Sequence, residues 1–64
     1  MLGMVYLRIK NGYETQVALA EKMGVKKQVI SALEKGGIHN SPVWQVRLAE
    51  LFNVSISEIT KEIV

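Results

Sequence analysis

Apolar residues recur at three- and four-residue spacing along this chain, broken by glycine-bearing or polar stops, and the pattern predicts a series of short helices. The first is expected over about residues 2–10, with Met4, Leu7 and Ile9 toward a core and Arg8 and Lys10 outside. Asn11-Gly12 is a stop, glycine being suited to the left-handed position after a helix. Thr15 is placed to cap a second helix from Gln16 to Met23, in which Leu19, Ala20 and Met23 form a buried stripe. Gly24 ends it, Val25 plugs the turn, and a third helix begins at Lys26 or Lys27 and closes at Lys35-Gly36-Gly37. Its inner side is Val29 or Ile30 with Leu33.

Residues 36–40 read as a loop. Ser41-Pro42 then opens a fourth helix, with serine as cap and proline at the first position. Trp44, Leu48, Leu51 and Phe52 give it an inner face, and Asn53 ends it. Ser55 and Glu58 have the spacing of a capping box before a last helix, whose apolar side is Ile56, Ile59 and Ile63, with Val64 following. Ile59, Ile63 and Val64 either close a small core or leave a patch for a second copy.

Sixty-four residues suffice for one domain, near the lower limit for folding without a staple. With no cysteine there is no disulfide framework and no thiolate metal site. A composition of 48% hydrophobic and 22% charged residues is that of a globular chain. No apolar run approaches the ~18–20 residues that span a bilayer. The apolar start, Met1 to Leu7, lacks the flanks of a signal peptide. The expectation is a cytoplasmic protein with no membrane partner.

The net charge of +2 identifies nothing alone, but its distribution is uneven. Residues 1–40 carry six Lys/Arg against three Glu, and residues 41–64 two against three. A basic front half suits a module with one side toward an anion.

The informative stretch lies between Gln16 and Lys35. Small Ala20 permits a close helix crossing, Gly24 opens the turn, and Ile30 and Leu33 bury the third helix's inner side. Lys27, Gln28, Ser31, Ala32 and Lys35 are left outward or at the rim, on a helix suited to a DNA major groove. Lys26 and Lys27 at a helix start oppose its dipole, a conflict that a nearby phosphate would relieve. Glutamine offers a donor and an acceptor that match adenine N6 and N7.

The run from Thr15 to Gly36 resembles the helix-turn-helix of the Cro and phage-repressor family. Thr15-Gln16, Leu19-Ala20, Gly24-Val25, Gln28, Ile30, Glu34 and Gly36 stand where that family's pattern has its anchors. The later run from Leu48 to Ser55 is similar to the family's fourth-helix ending, and the likeness covers about residues 7–60.

The resemblance implies an all-α, five-helix λ-repressor-like DNA-binding bundle formed by residues 1–64. It implies a sequence-specific transcriptional regulator, a repressor binding operator DNA through the major groove. Gln16 then touches phosphate and braces a base-reading side chain. Lys27, Gln28 and Ser31 reach bases or backbone, Lys35 lies near a phosphate, and Glu34 is a structural acid. Two departures stand out. Lys26 replaces the family's usual Ser or Thr cap, and the loop at Gly12-Tyr13-Glu14-Thr15 is one residue longer than common.

One module reads few base pairs, so a homodimer is expected, its recognition helices about 34 Å apart. Two other readings are an antitoxin that represses its own promoter and a protein-interaction module that has lost DNA binding. An enzyme is not expected: His39 is the lone histidine, Ser31 has no histidine to activate it, and no acid/base pair or ligand cluster is evident. No cofactor, metal or small-molecule effector is expected. The six glutamates, Glu34 included, read from spacing alone as scattered surface charges. Trp44 reads as core, and Tyr13 as a cover for the first turn.

Overall fold

The five expected helices form, and the last ends at Thr60, so that Ile63 lies beyond it. A computed structural model describes residues 1–63. The order is α1 (Gly3–Lys10), α2 (Gln16–Met23), α3 (Lys27–Glu34), a 3-10 turn (Gly37–Asn40), α4 (Pro42–Phe52) and α5 (Ile56–Thr60). No β-strand occurs among the described residues, and their longest extent is 24 Å. No helix among them is long and apolar enough to cross a membrane. Val64, named above with the last apolar side, lies outside the described residues.

Three helices end by one device. After α1, α2 and α4 a residue in the left-handed region (Gly12, Gly24 or Asn53) turns the chain. The next residue's N–H reaches back to a carbonyl five residues earlier: Tyr13 to Arg8, Val25 to Ala20 and Val54 to Ala49, at 2.9–3.0 Å. This is the Schellman arrangement, which satisfies carbonyls that a helix end leaves orphaned. Tyr13, Val25 and Val54 then pack against the core, so each stop also anchors the following segment. At Gly24, with φ 72°, a side chain would meet the cost of a left-handed backbone.

Each of the six segments contributes one fully buried side chain: Met4, Leu19, Ile30, Ile38, Leu48 and Ile59. Ala20 is also buried, where α2 packs on α3. α1 lies against α5 and α4, and residues 1–3 meet residues 61–63 there. Leu2 and Glu62 form an antiparallel bridge, Gly3 N–H donates to Lys61 O at 2.8 Å, and Ile63 N–H donates to Met1 O at 2.7 Å. The Met1 ammonium adds a bond to the Glu62 carboxylate.

Several expectations are corrected. Arg8 is buried and Ile9 is exposed, the reverse of their assignment from polarity. Residues 37–40 form a 3-10 turn, and Ile38 within it is core. Ser41 precedes α4 as expected, but its hydroxyl donates back to Gly37 O at 2.9 Å and caps nothing. The capping box does not form: Ser55 Oγ pairs with Ser57 Oγ, and Glu58 with Lys61. Trp44 and Leu51 are half-buried, and Ile56 is exposed. Thr15 does cap α2, its hydroxyl accepting from Ala18 N–H at 3.1 Å.

Candidate nucleic-acid interface

α3 is fixed at both ends and open along one side. Its inner residues Ile30 and Leu33 are buried, while Lys27, Gln28, Ala32 and Lys35 are exposed and Ser31 is half-buried. Helical spacing sets Lys27, Ser31 and Lys35 in one row and Gln28 and Ala32 in the next. Long side chains therefore surround two short ones, and these five residues line an open depression of about 240 Å3.

Lys26 stands just before α3 and is exposed. No side chain caps the helix there, and no acidic residue lies in its first turn. The ion pairs among the described residues are Met1–Glu62, Arg8–Glu34 and Lys61–Glu58, so the charges of Lys26, Lys27 and Lys35 are not neutralised within the protein. Free N–H groups, Lys26 and Lys27 share the N-terminal end of α3, an arrangement that favours an anion, and Lys35 continues the basic side at its other end. Replacing Lys26 with serine supplies the missing acceptor and removes a charge opposed to the helix dipole. The expected result is a gain of about 1 kcal/mol, read as a higher urea midpoint at unchanged slope.

The far end of α3 is held by a buried polar network. Arg8 Nε donates to Glu34 Oε2 at 2.8 Å, with both side chains about 8% exposed. Gln16 Nε2 donates to Glu34 Oε1 at 2.9 Å, and Arg8 Nη1 donates to Tyr13 O at 2.8 Å. One carboxylate thereby joins α1, the start of α2 and the end of α3. Glu34 is accordingly no surface charge.

Five of the seven residues singled out in the sequence are brought together. Lys26 adjoins them, and Gln16 stands apart with its amide nitrogen on Glu34. At the first position of α2, Gln16 still has a backbone N–H without an intrahelical acceptor. Arg8 was missed as a positioning residue. The signal was its spacing: four residues after Met4, it falls on the same side of α1.

Elsewhere, the Arg47 guanidinium lies 4.4 Å from the centre of the Trp44 ring, a cation–π distance. His39 is exposed, and no group of His, Cys, Asp and Glu able to hold a metal is found among the described residues. Searches of protein-family models, of curated proteins and of solved structures return no match to this chain.

Proposed function

We propose that this chain is a sequence-specific DNA-binding regulator of the λ-repressor-like kind, a repressor in which α2, the Gly24 turn and α3 act as a helix-turn-helix. α3 enters the major groove, and Gln28, Ser31 and Ala32 face base edges. Lys26, Lys27 and Lys35 lie against phosphates. The observation that carries this reading is the exposed, unneutralised basic side of α3, on a helix whose other side is locked by Ile30, Leu33 and the Glu34 network. Rigid presentation matters because a helix already ordered in the free protein adds no backbone-ordering cost to binding.

The protein binds as a homodimer, with α3 helices about one DNA turn, ~34 Å, apart. Val43 and Val46 on α4 are 68% and 45% exposed, and a second copy of this chain is the occupant that fits them. Opposite charges at Arg47 and Glu50 lie next to Val46 along the helix. Antiparallel pairing of two α4 helices about these residues would set Val43 against Val46 of the partner subunit.

Sites selected from random duplex DNA provide the test. Gln28→Ala should weaken the selected site by about 5- to 150-fold, the equivalent of ~1–3 kcal/mol, and relax base preference there. Lys27→Ala should weaken all sequences alike and lower the slope of log affinity against log salt by about one. Two chains per duplex are expected, and Val46→Glu should reduce this to one. Salt-insensitive binding, or no effect of either α3 change, rules the reading out in favour of a protein-interaction module.

A further inference from the structure

We infer that the depression on α3 takes the 5-methyl group of a thymine, and that Gln28 reads an adenine within about two base pairs of it. This rests on the DNA-binding reading above and goes beyond it by naming the base pairs.

Three observations carry the inference. The first is the state of the glutamines. The chain has three. Gln16 donates to Glu34, and Gln45 donates to Ile38 O at 2.8 Å. Gln28 makes no side-chain hydrogen bond among the described residues, so its donor and acceptor are both free. An adenine presents N7 as acceptor and N6–H as donor, which one amide can satisfy together. A guanine presents two acceptors and is better met by a cation.

The second observation is the short apolar residue in the lining of the depression. Ala32 is exposed, and its methyl group lies among the longer Lys27, Gln28 and Lys35. In the major groove thymine alone among the four bases carries a methyl group, and alanine is an apolar partner for it. An inorganic anion would occupy the lysines but leave the Ala32 methyl and the Gln28 amide without a role.

The third is spacing. Gln28 and Ala32 are four residues apart on one helix, about 6 Å along its axis. Successive bases on a strand rise by ~3.4 Å, so the two side chains lie about two base pairs apart when α3 follows the groove. The flanking Lys27 and Lys35 lack the fork geometry for bidentate reading and act as point charges on phosphate.

The experiment uses the full chain and the duplex selected from random DNA. Each thymine is replaced in turn by deoxyuridine, which removes the methyl group and keeps the pairing edge. One replacement, within two base pairs of the adenine at which Gln28→Ala relaxes preference, should weaken binding about fourfold, the equivalent of ~0.8 kcal/mol for one buried carbon. In Ala32→Ser that ratio should fall toward one. In Lys27→Ala it should persist while overall affinity drops. Ratios within one variant do not depend on small losses of folding stability, and circular dichroism confirms that each variant is helical. If the duplex is bound but no deoxyuridine replacement matters, or the ratio survives in Ala32→Ser, the thymine assignment is wrong and DNA binding stands. If no duplex is bound at all, the DNA-binding reading fails and this inference fails with it.

Discussion

Glu34→Ala is expected to cost about 3–5 kcal/mol of folding stability, because it leaves the Arg8 guanidinium buried without its counter-charge. The whole domain is expected to be stable by only about 3–10 kcal/mol at its length of 64 residues. The variant should therefore melt roughly 12 °C or more below the parent and be partly unfolded at room temperature. Arg8→Met should be similarly damaging, since it strands the Glu34 carboxylate and leaves Gln16 with an uncompensated acceptor. The combined Arg8→Met, Glu34→Leu variant should regain most of the loss, because apolar residues of similar volume can replace a buried pair. A thermal double-mutant cycle of Arg8→Met, Glu34→Leu and the two combined measures this coupling. A loss below about 0.5 kcal/mol for Glu34→Ala would return it to the class of ordinary surface charges.

Gly3→Ala is the second large effect, and its sign is diagnostic. At an exposed helical position the change gains about 1 kcal/mol through propensity alone. Here the added carbon would lie 1.9 Å from Glu58 O and 3.0 Å from Glu58 C. Gly3 is buried, and its N–H is already committed to Lys61 O. The obstacle is backbone, so no side chain can rotate away, and α1 must separate from α5. A net loss of at least about 1–3 kcal/mol is expected in urea denaturation, the range for overpacked interiors. Gly3→Val should be worse. An unchanged or raised midpoint for Gly3→Ala would show that the α1–α5 approach is looser than described.

Local signals made much of this architecture legible. Thr15, Gly24 and Asn53 each act on neighbouring backbone groups, so their effect does not depend on the rest of the chain. The stripe on α3 was equally plain, because Ile30 and Leu33 are the strongest apolar pair there and the residues between them are polar or small. The candidate site was readable for that reason: an outward face follows once the inward one is assigned. What failed depended on distant partners. Arg8 lies at core spacing on α1, yet polarity argued for solvent; only the carboxylate from α3 makes its burial affordable. Ile38 is a single apolar residue in a glycine-rich stretch with no periodicity to mark it, and its burial follows from the 3-10 turn. Ser41 and Ser55 had the right spacing for caps, but each hydroxyl found a competing acceptor or donor nearby.

The pairing of Met1–Gly3 with Lys61–Ile63 has a consequence for biosynthesis. α1 is made before α5, and the backbone groups that its leading residues bond lie far downstream of it in the chain. The emerging polypeptide cannot complete its fold on the ribosome until those residues have cleared the exit tunnel. Up to that moment Met4 has no Ile59 to pack against, and the nascent helices remain open to chaperones.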